Sequence, residues 1–303
     1  MRFAPFAILG ISLLALASCS KDDPAPTPPV VDAGPRLILK FRFDSTQVRL
    51  NGFGGPATMP NGHAAQNPRF REMSAHYVEF APTALTALGL GRVVYHAPET
   101  TAGGSTAIDL TQSVRVGDGQ TFLNIPLSQL SAGTYEWLRV SLAYQKYDID
   151  FRYTDTQFGT GTYDLDGTVA SFIGYNTFIG SFLVAQQSVT LNANKAQGYW
   201  AFEPLAPPVS TPIVQGQAPG TTVPNPIFAT SPIPAGSCVV TGPFAAPLVI
   251  SGSETEDIVI IVSLSTNNSF EWQDNGDGIF EPGAPANDVV VDMGVRGMIP
   301  IVQ

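Results

Sequence analysis

The sequence predicts an all-β protein, an antiparallel β-sandwich with a long Pro-rich surface loop. Turn formers are abundant, with 29 Gly and 26 Pro among 303 residues. Charged residues, the source of helix-favouring Lys, Glu and Arg, are only 13%, about half the share of an ordinary soluble domain. Apolar residues alternate with polar ones in short runs bounded by turn residues, the period of a strand with one buried face. No repeat at a period of roughly 20–50 residues is visible, which argues against a propeller or solenoid.

The elements follow in chain order. Leu37, Leu39, Phe41 and Phe43 form one side of a first strand, with Ile38, Lys40, Arg42 and Asp44 on the other. Asn51–Pro68 is a polar loop containing His63, and Met73–Phe80 is a second strand. Pro82–Leu90 has Pro at its start and Gly89 near its end, the punctuation of a short helix. Strands follow at Arg92–Ala97, Thr106–Leu110 and Phe122–Leu127, the last marked as an edge by Pro126. The clearest alternation runs over Tyr135–Phe151. Val140, Leu142 and Tyr144 share one parity and Tyr147, Ile149 and Phe151 the other. One extra residue near Gln145–Lys146 reverses the buried face, as a β-bulge or tight hairpin does.

Tyr163–Ile173, Thr177–Val184, Ser188–Leu191 and Gly198–Phe202 read as further strands. Pro204–Pro234 then holds nine Pro in 31 residues, a density that suits a linker or a surface loop. Ile213, Val214, Ile227 and Phe228 favour a loop docked on the fold. The strands at Cys238–Thr241, Leu248–Ser251, Asp257–Leu264, Ser269–Trp272 and Asp288–Met293 are too few for a second sandwich. They are expected to complete sheets begun upstream, so residues 36–303 form one domain, with 204–236 the place for any internal boundary.

The chain's start carries an address. Met1-Arg2 is a short positive end, Phe3–Ala17 is an apolar run too short to span a bilayer comfortably, and small residues follow, as in a cleaved signal peptide over residues 1–18. Leu16-Ala17-Ser18-Cys19 resembles the lipobox of bacterial lipoproteins, which implies cleavage before Cys19 and lipidation of that Cys. Ser20-Lys21-Asp22-Asp23 resembles the export tag of Bacteroidota lipoproteins sent to the outer face of the outer membrane. Pro24–Pro35 completes a tether over residues 19–35, with the composition of a polyproline-II spacer. At about 3.1 Å per residue it holds the folded part some 35–40 Å from the lipid. With Cys19 committed to lipid, Cys238 is the other Cys of the sequence, and no intrachain disulfide is expected.

The net charge of −10 lacks the basic footprint of nucleic-acid binding or of docking onto anionic lipid. There is no G-x-S-x-G elbow, H-E-x-x-H, P-loop or paired Cys. Asp148/Asp150 and Asp164/Asp166 are spaced to share a strand face and admit glycoside hydrolysis, though a solvated face is the plainer reading. Three His are present, His63, His76 and His96. With Met59 and Met73 they are candidate copper ligands, though a strand would send Met73 and His76 to opposite faces.

Gln273–Glu281 has the composition of a calcium loop. Taking Gly278 as the tight-turn Gly puts Asp277 and Asn275 on ligand positions. Gln273 at the first position and Ala284 at the twelfth exclude an EF-hand. A single-loop Ca²⁺ site of Asp274, Asn275, Asp277 and Glu281 is the metal expectation, with a plain hairpin turn as its rival. Trp137, Trp200 and Trp272 serve either as core or as a stacking platform for sugar or peptide.

Leu37–Asp44, Met73–Phe80 and Gly133-Thr134-Tyr135 leading into Arg139–Tyr144 resemble the MbnP-like β-domains of bacterial envelope proteins. Some members of that family bind copper through His with a modified Trp; here no Trp lies close in sequence to a His, so no ligand carries over. Asn267–Trp272 and Val289–Gly294 resemble Bacteroidota lipoproteins, which implies location and no activity. The expected function is a lipid-anchored cell-surface binding lipoprotein without catalysis, its ligand a glycan, peptide or envelope partner and its lipid contact Cys19. Metal binding, by copper or calcium, and glycoside hydrolysis are the alternatives.

Overall fold

The computed structural model describes residues 34–87, 89–155, 161–206, 209–210, 212–218, 238–283 and 285–303. Cys19, Ser20, Lys21, Asp22 and Asp23 lie outside them, as do residues 219–237 of the Pro-rich stretch. Gly34–Gln303 forms one compact unit. Among the described residues no helix is long and apolar enough to cross a membrane.

The fold is all-β. In the first third of the chain run β1 (Arg36–Asp44), β2 (His63–Gln66), β3 (Arg69–Ala81), β4 (Arg92–His96), β5 (Glu99–Thr100) and β6 (Ala107–Asp109). Then come β7 (Thr121–Pro126), β8 (Gly133–Asp155), β9 (Gly161–Phe172), β10 (Asn176–Leu183), β11 (Ser188–Ala196) and β12 (Tyr199–Ala206). The last third carries β13 (Val209–Ser210), β14 (Val214–Gln217), β15 (Cys238–Ile250), β16 (Ile258–Ser265), β17 (Phe270–Gln273), β18 (Val289–Asp292) and β19 (Met298–Val302).

A central sheet runs β13-β12-β9-β8-β3-β4, with β14 on β12 and β15 on β8. Its spine is β8. Along one side β8 pairs with β3; along the other it pairs with β15 over Gly133–Leu142 and with β9 over Tyr144–Asp155. The change of partner falls at Ala143, whose carbonyl accepts from both Ile173 and Gly174. Ala143 is also the extra residue of a bulge, because Ser74 faces Tyr144 and Ala75 faces Leu142. The extra residue expected near Gln145–Lys146 lies earlier, at Ala143, so that Tyr144 joins a different core cluster from Val140 and Leu142, and no hairpin interrupts β8.

The switch divides the core. Leu138, Val140 and Leu142 join Leu37, Leu39 and Phe41 of β1 and Ile260, Val262 and Leu264 of β16 in the main cluster. Beyond the bulge Tyr144 packs with Phe172, Ile179 and Phe182. Tyr147, Ile149 and Phe151 meet Phe270 and Trp272 in a third cluster. Each such fully buried apolar side chain stabilises the fold by roughly 1.5–3 kcal/mol.

Three smaller sheets supply these partners: β19-β16-β1-β7, β11-β10-β6-β5 and β18-β17-β2. The C-terminal strands therefore complete upstream sheets, as their small number requires. Pairing is mostly antiparallel, but β1 runs parallel to β16 from Leu37↔Ile258 to Asp44↔Ser265, and β10 parallel to β6. Pro126 does end an edge strand, β7.

Two local expectations are corrected. Residues 82–87 and 89–90 make turns and bends, with no helix among them. Their backbone is engaged elsewhere: Gly89 and Gly91 donate N–H to Glu79 Oε1 at 3.0 and 2.7 Å, and Arg139 donates to the Ala84 carbonyl. The described part of the Pro-rich stretch is not simply loop, since β14 pairs with Tyr199–Phe202 and β13 with Leu205–Ala206. Ile213 docks on the second core cluster; Ile227 and Phe228 lie outside the described residues.

Candidate functional site

One cluster of metal-capable side chains forms where β3 and β4 of the central sheet approach β5 and β6. His76 reaches it through a second bulge. Ala75 faces Leu142 and Tyr77 faces Ser141 on β8, so His76 is an extra residue without a partner there, the arrangement that re-aims a side chain. It is held from the other side, where Ala97 N–H donates to the His76 carbonyl at 2.8 Å. His96 ends β4 opposite Tyr77, and the two rings stack at 4.2 Å and 13°. Pro98 then turns the chain, and Glu99 opens β5 against Ile108.

Three contacts meet on one carboxylate oxygen. Glu99 Oε1 lies 2.9 Å from His76 Nε2, 3.4 Å from His96 Nε2 and 3.4 Å from the Tyr175 hydroxyl, whose one proton it shares with the Thr106 carbonyl at 3.3 Å. Tyr175 also stacks on His76 at 5.2 Å and 29°. His76 is buried, whereas the side chain of His96 is 42% exposed, so one side of the cluster opens to solvent.

Burial pushes the His76 imidazole down to about 4 against the pull of Glu99, and pushes the Tyr175 phenol up to about 12. Burial also works against ionisation of Glu99, but hydrogen bonds and charge from His76 and His96 outweigh it, and its carboxyl stays below the usual range. At neutral pH a neutral His76 thus faces a carboxylate. Its Nε2 carries the proton, because an ionised carboxylate only accepts. Nδ1 of His76 is buried and has no hydrogen-bond partner among the described residues.

His76, His96 and Glu99 each offer a ligand atom within 4.8 Å of the others, and among the described residues theirs is the group of three His, Cys, Asp or Glu that does so. The expected copper set is divided. His63 pairs with Glu271 at 2.6 Å, Met73 lies in the main core and Met59 is exposed. The ring partners of His76 and His96 are each other, Tyr77 and Tyr175. A Trp-derived copper ligand thus finds no counterpart beside them among the described residues.

In the calcium expectation, Asp274 accepts from Gly276 and Gly278 N–H, Asn275 from Asp277 N–H and Asp277 from Ile279 N–H. The Glu281 N–H is bound by Asp288. These groups shape the turn between β17 and β18, and the carboxylates of Asp274, Asp277 and Glu281 do not come together as a trio within 4.8 Å.

The carboxylate pairs are placed on β8 and β9, where Asp150 faces Asp166 and Arg152 faces Asp164. Arg69 bridges Asp150 and Asp166 at 2.9 and 2.8 Å, Arg152 binds Asp164 at 2.7 Å, and Arg71 binds Asp148 at 2.7 Å. The hydrogen bond between Asp150 and Asp166, and then burial, raise the Asp166 carboxyl despite Arg69. Of the three Trp, Trp272 is core, and Trp137 and Trp200 are half-buried.

A second polar cluster surrounds Glu271, which takes Arg49 at 2.7 Å, His63 at 2.6 Å and Arg296 at 3.4 Å. It floors a cleft of about 240 Å³ lined by Asn51, Thr58, Asp292 and Gly297, among others. Its charges pair among themselves: Arg296 also binds Asp292, and Arg49 the Asn268 carbonyl at 2.5 Å.

Sequence reasoning singled out His76 and His96 but missed Glu99 and Tyr175. The His96-Ala97-Pro98-Glu99 spacing was the available signal for Glu99. The bulge that joins His76 to it carries no sequence mark. Comparison with family models, with curated proteins and with solved structures yields no match.

Proposed function

We propose that this chain is a lipid-anchored binding protein of the outer face of the outer membrane, which holds a ligand at the His76–His96–Glu99 seam without turning it over. The Cys19 lipobox, the Lys-Asp-Asp tag and the Pro-rich spacer support the location. The observation that carries the binding reading is the convergence of two imidazoles and a phenol on one carboxylate oxygen, with His96 open to solvent. Elsewhere the buried ionic groups answer one another, as Arg139 answers Glu79 at 3.1 Å and Arg49 answers Glu271. A seam whose polar atoms come from three strands and one turn gives a ligand several fixed contacts, which keeps the ordering cost of binding low.

Two measurements test this. Incorporation of a clickable palmitate into the wild-type chain, absent from Cys19→Ala, together with protease accessibility on intact cells, tests the anchor and its face. Binding of the mature chain (residues 19–303 with Cys19→Ser) to envelope glycans, peptides and metal ions, compared with His96→Ala, tests the seam. Retention of every bound ligand by His96→Ala would refute the assignment of the seam, and turnover of a polysaccharide would refute the non-catalytic reading.

A further inference from the structure

Resting on that binding reading and deepening it, we propose that the ligand of the seam is a divalent transition-metal ion of the zinc class, held by His76 Nε2, His96 Nε2 and Glu99 Oε1 with a fourth position facing solvent. Two imidazole nitrogens and one carboxylate oxygen are the donors that borderline dications take, whereas Ca²⁺ and Mg²⁺ prefer all-oxygen shells. Three protein ligands with one open position is also the pattern of zinc sites that exchange what they bind.

Two of the three ligand separations fit with little movement, and the His76 and His96 ligand atoms lie within 4.8 Å of each other. A tetrahedral ion with metal–ligand bonds of about 2.0–2.1 Å sets its ligand atoms roughly 3.3 Å apart. His96 Nε2 and Glu99 Oε1 are already 3.4 Å apart, and His76 Nε2 and Glu99 Oε1, at 2.9 Å, need to separate by only a few tenths of an ångström. The rings are fixed before any ion arrives: His96 lies on Tyr77 and His76 on Tyr175, whose hydroxyl also orients Glu99.

Coordination moves one proton within His76. The metal takes the Nε2 lone pair, and the proton that Nε2 shares with Glu99 is released while Nδ1 takes one up, so the imidazole stays neutral. Nδ1 has no hydrogen-bond partner among the described residues, and no acceptor role toward them has to be given up. The positions of the donors on a bulge, a strand end and a short strand are set by backbone pairing, so the site is largely formed without the ion.

The test uses tag-free mature chain, residues 19–303 with Cys19→Ser, stripped with chelator. Zn²⁺ is followed by titration calorimetry and elemental analysis, and Co²⁺ by its visible ligand-field bands. The expected result is one Zn²⁺ per chain and tetrahedral-type Co²⁺ bands. His96→Ala and Glu99→Gln, both at partly exposed positions, are expected to weaken binding by at least about tenfold while keeping the wild-type circular dichroism. Asp274→Asn in the β17–β18 turn is expected to leave it unchanged.

No bound Zn²⁺ at submillimolar ion, or binding unchanged in His96→Ala and Glu99→Gln, overturns the metal assignment. If a glycan or peptide is then bound and His96→Ala abolishes that binding, the binding reading survives and the metal assignment alone falls. If neither metal nor organic ligand depends on His96, both fall.

Discussion

Glu79 offers the sharpest test of how burial, charge and backbone anchoring combine in this fold. It and Arg139 are fully buried and 3.1 Å apart, and Glu79 also binds the N–H groups of Gly89 and Gly91. Burial pushes the Glu79 carboxyl up and the Arg139 guanidinium down, each against the attraction of its partner. The pair's attraction therefore does not repay the loss of water, as is common for buried ion pairs. What Glu79 supplies is a pair of acceptors, Oε1 for the glycine N–H groups and Oε2 for Arg139. Glu79→Gln keeps one of them but sets an NH2 donor where the other stood, so one set of buried donors loses its partner, and it is expected to cost on the order of 1–3 kcal/mol at pH 7. Glu79→Ala leaves Arg139 and two N–H groups unanswered and opens a cavity, and it is expected to cost on the order of 3–5 kcal/mol.

Linkage fixes the sign of the pH dependence. Because the folded carboxyl lies above its ordinary value of 4.5, the folded state holds the extra proton in the window above that value. Stability contributed by Glu79 is thus full below the window and falls as pH rises through it. Urea unfolding of the wild-type and both variants between pH 4 and 8 reads the effect, and trypsin cleavage after Arg92 reports release of residues 82–91. A Glu79→Gln variant as unstable at pH 7 as Glu79→Ala would refute the reasoning, since attraction between the charges would then outweigh their loss of water.

Other perturbations have equally definite outcomes. Gly91→Ala places a Cβ 2.3 Å from the Phe80 carbonyl and 2.8 Å from Glu79 Oε1, so it is expected to destabilise by on the order of 1–3 kcal/mol in urea unfolding. Glu271→Gln removes the charge that Arg49 and Arg296 pair with and one of its two acceptor oxygens, and is expected to lower the thermal midpoint at pH 7. Burial alone would raise the Glu271 carboxyl, but its hydrogen bonds and the two Arg charges hold it below 4.5. Its stability is therefore present above pH 4.5 and lost as pH falls through the folded value, so the gap between wild-type and variant midpoints should close in acid. Cys238 is buried and its thiol is pushed up to about 12, first by burial; a thiol reagent at pH 8 is expected to modify it only at the rate of unfolding, as a reaction time course with and without urea will show.

The legible part of this fold was the part written in period two. Strands such as Leu37–Asp44 and Tyr135–Phe151 announce a buried face by alternation, and Pro126 marks an edge because it cannot donate to a neighbour. Partner choice was not legible. Nothing in Leu37–Phe43 or Asp257–Leu264 says that they lie parallel and in register, because alternation fixes which face is buried and leaves the neighbour open. The punctuation of Pro82–Leu90 suited a helix, and the buried Glu79 of the preceding strand claimed the Gly89 N–H instead. His76 and His96 stood out as rare residue types, whereas Glu99 is one acid among 25 acidic residues until the register places it beside them.

The seam itself follows from two irregularities that cancel. On β8 the extra residue Ala143 shifts the register with β3 by one, and on β3 the extra residue His76 shifts it back, so that Tyr77↔Ser141 resumes the alignment of Ser74↔Tyr144. A third, with Arg71 as the extra residue between Phe70↔Tyr147 and Glu72↔Lys146, lies before them and leaves a net shift of one. The pair at Ala143 and His76 disturbs only a short stretch, and at that stretch Ala143 meets Ile108 and Ala97, while His76 meets Tyr175 and Glu99. Burying a His whose Nδ1 finds no partner among the described residues costs about 1–3 kcal/mol at that atom, set against the bond of Nε2 to Glu99 and the stacking on Tyr175. Replacing His76 by an apolar residue should therefore change the stability of the fold little while emptying the seam of its innermost donor. A His76→Leu variant that unfolds more readily than wild-type, with no loss of Zn²⁺ binding, would show that this His is held for packing and not for a ligand.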